Sequence, residues 1–420
     1  MPLALLALTM LTASLLWSQP PAPPPAPTFD AVAATNAYLA TVPADKKARS
    51  DGYFEGGYWL ILWDFLYGAA IAVLLLSTKL SSRMRSLAER LARFQPLRTF
   101  AYWVQYLLVT SVVTFPLTVY EGFIREHQYG LATQTFAPWL GDQLKSLGVG
   151  LLLGGIAITA LFGILRRLPR TWHIWGAVAG LLLNALLVMI FPVFIAPLFN
   201  QYTKLTDPTV RDPILSLARA NGIPATEVYE VDASRQSTRI SANVSGFMGT
   251  ERITLNDNLL KRSTLPEIMS VMGHEMGHYV LNHVYKGLLF TLIMLVVFFA
   301  GLRHALDWSL ARWGARWEIR SLSDTAVLPL AVLIVSIFSF LYTPIGNTVT
   351  RTMEYEADMY GLNAVRQPDA FATIALKLGE YRKLNPSPLE EMLLFDHPSG
   401  RTRIFSAMRW KAENPNARKP

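Results

Sequence analysis

Three of the chain's seven histidines fall within ten residues, at 274, 278 and 283. The stretch 271–283 reads Val-Met-Gly-His-Glu-Met-Gly-His-Tyr-Val-Leu-Asn-His, in a segment with helical patterning. Histidines at i and i+4 stand about 40° apart around a helix, so the rings of His274 and His278 can converge on one ion. Glu275 is one step along, within reach of a water on that ion. Zinc lowers the pKa of such a water towards about 7, where a carboxylate can take its proton. The chemistry implied is attack of activated water on a peptide carbonyl. A lone His-Glu-x-x-His also arises as an ordinary surface cluster. The density of histidine in a chain otherwise poor in charge favours metal.

A catalytic zinc needs a third protein ligand and one open position. The chain has no cysteine, so that ligand is a histidine or a carboxylate. The metzincin continuation requires Gly and His where this chain has Leu281 and Val284. His283 lies roughly 140° around the helix from His278, which suits a partner behind a ligand or a surface histidine. A distant carboxylate is the better candidate. Residues 351–358 read Arg-Thr-Met-Glu-Tyr-Glu-Ala-Asp, also in helical patterning. Glu354 and Asp358 share a face at i, i+4. Glu354 can bind the metal while Asp358 accepts the free N–H of a ligating imidazole and fixes its tautomer. Glu356 lies roughly 200° from Glu354 and should face away. Alone, this acidic run would read as a solvated helix face; beside the histidine pair it gains meaning.

The elements that must position these groups belong to a membrane protein. Apolar residues are 52% of the 420 and charged residues 16%, against about a quarter charged in soluble chains. The net charge of +8 sits in short clusters between apolar runs, as in membrane-flanking loops. No nucleic-acid-binding motif accompanies it. Residues 3–17 are apolar and precede a Pro/Ala-rich run, 20–27, which reads as a signal peptide or first span followed by an extended linker. Six further stretches approach the roughly 20 residues a span requires: 58–78, 100–120, 146–166, 173–197, 286–306 and 325–346. Asp64 falls inside the first and Glu121 at the edge of the second, facing either a wet interior or a polar neighbour.

Arginine and lysine fill the loops 79–98, 166–170 and 303–320, whereas 121–145 holds only Arg125 and Lys145. The positive-inside rule makes the three rich loops cytoplasmic and places 198–285 and the C-terminal tail on the other side. Those two regions are the polar ones. Residues 205–221 pattern as an amphipathic helix, and 227–231 and 239–255 as two or three short strands. Thr264, Pro266 and Glu267 form the start signal of the helix that carries 274–278. A last helical region covers 350–384. The expected division is therefore 1–27, signal peptide or first span plus linker; 28–199, about four spans; 200–285, a catalytic subdomain; 286–346, two spans; and 347–420, a C-terminal catalytic region. The fold class is an α-helical integral membrane protein, six to seven transmembrane helices around a chamber, with a small α+β zincin-type subdomain.

At this point the motifs resemble a known family. His-Glu-Met-Gly-His at 274–278, Glu-Tyr-Glu-Ala-Asp at 354–358 and His-Pro-Ser-Gly-Arg-Thr-Arg-Ile at 397–404 occur in this order, with spans between and before them. The set is similar to membrane gluzincin peptidases of the type I CAAX prenyl protease kind, related to the bacterial heat-shock membrane protease. The resemblance implies one Zn2+ per chain on His274, His278 and Glu354, with Glu275 as general base and Asp358 behind a ligand. It implies that His397 stabilises the oxyanion and that Arg403 pairs with an active-site carboxylate. The 234–260 stretch resembles the family's substrate-binding edge strand, which would hold an extended peptide by β-augmentation. Relatives there carry Asn-Ala, then Gly four residues after the Ala. This chain carries Ser241-Ala242 and Gly246, with Asn243 as a neighbour whose side chain should point elsewhere.

The expected partners are a peptide or membrane-protein substrate and the lipid bilayer. The expected location is a bacterial inner membrane with the catalytic side away from the cytoplasm. The eukaryotic prenyl proteases of this kind present their catalytic domain to the cytosol, and the arginine distribution here opposes that orientation. Two other readings compete. A non-enzymatic scaffold or chaperone with a structural zinc would want four ligands, usually with cysteine, and would leave Glu275 surplus. A transporter with a polar chamber has Asp64 and Glu121 in its favour, but no internal repeat.

Overall fold

The computed structural model describes residues 29–245 and 252–415. The apolar stretch 3–17 and Gly246 lie outside the described residues. Helices α1 (Ala31–Ala40), α2 (Ala44–Ser77) and α3 (Leu80–Leu91) are followed by α4 (Gln95–Gln128), α5 (Phe136–Arg167) and α6 (Trp172–Leu198). A polar unit comes next: β1 (Tyr202–Lys204), α7 (Pro208–Ala220), β2 (Val228–Val231), β3 (Ala242–Ser245), β4 (Arg252–Asn256), α8 (Asp257–Arg262) and α9 (Leu265–Val280). The chain returns through α10 (His283–Trp313) and α11 (Thr325–Val365) and ends in α12 (Pro368–Leu378), α13 (Pro388–Leu394) and α14 (Gly400–Glu413).

Six of these helices, α2, α4, α5, α6, α10 and α11, are long and apolar enough to cross a bilayer, one on each predicted stretch. Their outer faces leave Leu74, Val112, Leu182, Leu289 and Leu341 more than half exposed, which water would punish and lipid tails accept. The chain is an integral membrane protein. Where the helices meet near their arginine-rich ends, Leu75, Tyr102, Phe162, Trp172, Leu306 and Leu330 form a buried core.

Helix α11 departs from the sequence expectation. A span to 346 and a separate helix from 350 become one helix that runs through Pro344 to Val365. Neighbouring helices can satisfy the backbone that a proline frees inside a membrane bundle. The helix stops where Arg366 turns left-handed at φ 57° and Pro368 opens α12. The result is a single rod joining the membrane to the polar unit.

The sheet has strand order β1-β2-β4-β3, with β2 and β4 parallel and the outer pairs antiparallel. Three of its strands lie where alternation placed them; β1, three residues long, was too short to pattern. Ile253 and Leu255 on one face of β4 are fully buried beside Ile268, Met272 and Met276 of α9, so the sheet backs the histidine helix. Strand β3 is at the edge. It pairs with β4 through Ala242 opposite Leu255 and Asn243 opposite Thr254, and among the described residues its other edge has no strand.

Candidate metal centre

Helix α9 begins with the predicted capping box: the Thr264 amide donates to Glu267 Oε2 at 2.7 Å. The same carboxylate accepts from Lys377 Nζ of α12 at 2.7 Å, so the helix start is tied to a neighbour. Small residues then let α9 and α11 close on each other. Gly277 faces the backbone of Ala357, and Gly361 faces the backbone of His274. This close approach sets two ligand candidates from α9 and one from α11 on one point.

His274 Nε2 is 3.2 Å from His278 Nε2 and 3.2 Å from Glu354 Oε2, and His278 Nε2 is 3.4 Å from Glu354 Oε1. Bonds of about 2.0–2.1 Å to a tetrahedral zinc put ligand atoms roughly 3.3–3.4 Å apart. The three edges fit that tetrahedron. Glu354 Oε2 is also buried without a hydrogen-bond partner, an unusual state for a carboxylate oxygen unless a cation completes it. By donor type, spacing and this orphaned oxygen, His274, His278 and Glu354 fit a zinc ion.

Each histidine is held from behind. The His274 Nδ1–H donates to Asp358 Oδ1 at 2.8 Å, which leaves Nε2 for metal. Asp358 is buried and is balanced by Arg403, whose Nε donates to Oδ2 at 2.8 Å and whose Nη2 donates to Oδ1. His278 is held differently. Its Nδ1 lies 2.8 Å from His283 Nδ1, and His283 Nε2 lies 3.0 Å from Glu356 Oε2. A metal held by His278 Nε2 would leave its Nδ1–H to donate to His283, and His283 would then pass its own Nε2–H to Glu356. Lys286 Nζ, 2.7 Å away, neutralises Glu356. Glu356 does face away from the metal point, as its position on the helix requires, but it reaches the second histidine.

Electrostatics follow from this packing. Burial pushes the Glu275 carboxyl up to about 7, so in the metal-free site it sits at the boundary between acid and base. For His274 burial opposes the charged form, but the hydrogen bond to Asp358 and the adjacent Glu354 carboxylate win and raise it to about 9. Burial, reinforced by the nearby His274 charge, lowers His278 to about 4.

A cavity of about 380 Å3 opens on these groups. Glu275 and His397 line it with the three ligand candidates. His397 Nε2 stands 3.3 Å from Glu354 Oε2, and its Nδ1 is 2.8 Å from Asp396. Ser241 and Ala242 line the cavity, so the β3 edge forms its rim, whereas Asn243 faces a different cleft beside Leu187 and Phe191. The Ser241 amide donates to Asn256 Oδ1 at 3.1 Å, and the Asn256 amide returns a bond to Ser241 O at 2.9 Å, which fixes the rim. Sequence reasoning did not single out Arg239, Tyr381 or Arg382, which also line the cavity. In sequence, Tyr381-Arg382-Lys383 is an ordinary charged stretch, and no local pattern marks it.

Two family profiles match. One, described as peptidase family M48, matches residues 204–411; the other, described as CAAX prenyl protease N-terminal, five membrane helices, matches residues 35–201. The chain is 30% identical to an uncharacterized metalloprotease, YhfN, of Bacillus subtilis (strain 168), over 79% of this chain and 78% of that protein. It is 28% identical to CAAX prenyl protease 1 of Saccharomyces cerevisiae, over 70% of this chain and 69% of that one. The crystal structure of S. mikatae Ste24p superposes with a TM-score of 0.75 at 21% identity, covering 90% of this chain and 94% of that one. That likeness establishes the fold.

Proposed function

We propose, from the premise that this chain belongs to peptidase family M48 and is a membrane metalloendopeptidase, that it hydrolyses peptide bonds with one zinc ion on His274, His278 and Glu354 and with Glu275 as general base. The observation that carries this reading is the triangle of ligand atoms with edges of 3.2, 3.2 and 3.4 Å. A zinc ion in that triangle would supply Lewis acidity, making water acidic near neutral pH and polarising a carbonyl.

The chain's own residues do the rest. An extended peptide lies along β3, its backbone pairing with the open edge beside Ser241 and Ala242, so that one carbonyl reaches the ligand triangle. Glu275, held near neutrality by burial, takes the proton of the attacking water and passes it to the leaving amine. His397, held by Asp396 at 2.8 Å, offers its other nitrogen to the negative charge that develops on the carbonyl oxygen. Asp358 and the His283–Glu356 pair hold the two ligating rings in the correct tautomer.

The three arginine-rich loops support an orientation with the cavity away from the cytoplasm of a bacterial inner membrane. Membrane or envelope proteins are then the substrate class. The deciding experiment uses Glu275→Gln in native membranes. It should keep about one zinc per chain, lose cleavage, and retain uncut substrates for identification. Undiminished proteolysis by that variant would refute the base. A reporter fused to the C-terminus that is active only in the cytoplasm would refute the orientation.

A further inference from the structure

At the end of the bundle opposite the ligand triangle, a second cavity of about 180 Å3 lies between the starts of α4 and α11, the end of α5 and the face of α3. Along α11, Thr325 at this cavity and Glu354 at the triangle are 29 residues apart by number, or about 44 Å of helix. That equals the headgroup-to-headgroup thickness of a bilayer, about 40–45 Å. One site therefore sits at each membrane interface.

The second cavity is lined by more positive charge than the protein neutralises. Arg85 is spent on Asp324, and Arg320 on Glu89. Arg98 and Arg166 are left. Arg98 Nε donates to the carbonyl of Ala92, and both Arg166 Nη atoms rest on Thr99 Oγ1 at 3.2 Å. Among the described residues neither is paired with a carboxylate. Arg85 adds an independent sign: its side chain is only 9% exposed, yet its Nε has no partner. Buried donors are normally satisfied, so this orphaned guanidinium N–H beside the cavity leaves the local positive charge under-compensated. Gln95 brings in the first turn of α4, whose N-cap residue, Phe94, makes no side-chain capping bond. Free amides at a long helix's N-terminus favour an anion.

We infer that this cavity binds a phosphate group, and that the group belongs to the headgroup of an anionic phospholipid. Guanidinium forks match the oxygens of a phosphate, and two without a carboxylate partner, Arg98 and Arg166, lie here beside a helix N-terminus. The surroundings favour a lipid source. Leu91, Phe94 and Leu97, beside the cavity in the α3–α4 turn, are each more than half exposed, an apolar rim that suits acyl chains below a headgroup.

The test uses the full chain, purified in detergent and stripped of lipid, with native mass spectrometry and thermal melting as readouts. The probes are dioleoyl phosphatidylglycerol, dioleoylglycerol and inorganic phosphate. Phosphatidylglycerol should form a one-to-one adduct and raise the melting temperature, and dioleoylglycerol should do neither. The double variant Arg98→Gln/Arg166→Gln should bind phosphatidylglycerol about thirtyfold more weakly, as expected for two lost interfacial charges. Arg98→Lys/Arg166→Lys, which keeps the charge, should recover most of that loss and shows that misfolding is not its cause. Equal phosphatidylglycerol binding by wild type and the glutamine variant would overturn the site. Inorganic phosphate matching the lipid at the same concentration would overturn the headgroup assignment.

Discussion

Gly361 of α11 lies against the backbone of His274 so closely that a β-carbon there would stand 2.8 Å from the His274 nitrogen. The contact explains why two helices far apart in sequence can share one metal point. Gly361→Ala should push α11 away from α9 and carry Glu354 and Asp358 with it. Overpacking of this kind costs about 1–3 kcal/mol. A lowered melting temperature together with weaker zinc retention in chelator competition is expected; unchanged zinc retention would mean that the approach does not set the site.

Asp358 serves both His274 and Arg403, so its removal should be felt twice. Asp358→Asn keeps the shape, replaces the charged acceptor behind His274 with a neutral amide and leaves Arg403 buried without its counter-charge. Zinc affinity should fall about 10–100-fold. Stability should fall by about 3–5 kcal/mol, the usual result of breaking a buried pair from one side. Denaturant unfolding of the metal-free chain isolates the second effect from the first.

His283 and Glu356 do not line the cavity, so they can be changed without touching substrate. His283→Ala removes the partner of His278 Nδ1. Zinc affinity should fall roughly tenfold while KM for a peptide stays near wild type at saturating zinc. Glu356→Gln should weaken zinc less, because the amide oxygen still accepts from His283. If both variants hold zinc as wild type does, the chain His278–His283–Glu356 is ornamental.

Metal uptake should be coupled to protons. In the metal-free protein His274 carries a proton up to about pH 9, because its hydrogen bond to Asp358 and the adjacent Glu354 carboxylate outweigh burial. His278, lowered to about 4 by burial, is already neutral near pH 7. A metal needs both rings neutral. Zinc binding near pH 8 should thus release about one proton, from His274, and affinity should drop about tenfold per pH unit as acid is added below pH 9. The release is measurable with a pH indicator during zinc titration, and none at all would contradict the assignment of His274.

Much of this was legible in the chain. The six spans are long apolar runs, and length alone identifies them. The capping box at Thr264 and Glu267 and the pair His274, His278 are local patterns on one helix. Glu354 and Asp358 could be picked out as an i, i+4 pair, and the ordered motifs tied them to the histidines. What could not be read depends on contacts between distant segments. The role of Gly361 appears only when α11 meets α9. The link from His283 to Glu356 crosses 73 positions, and the helical-wheel position that turns Glu356 from the metal gives no hint of it. Arg382 sits in a charged run like any surface stretch until the fold turns it into the cavity. The continuity of α11 past 346 was missed because the apolar signal ends there while the helix does not.

That continuity has a mechanical consequence. Helix α11 is one strut, with its first half packed in the membrane bundle and Glu354 and Asp358 near its far end. His274 and His278 stand on a different support, α9, braced by the sheet and by Lys377. A change in the tilt of the strut, such as a thinner or thicker membrane imposes, moves one side of the ligand triangle relative to the other. Bilayer thickness thereby becomes a variable of the coordination geometry, and the same protein reconstituted in short-chain and long-chain lipids should not hold its metal equally well.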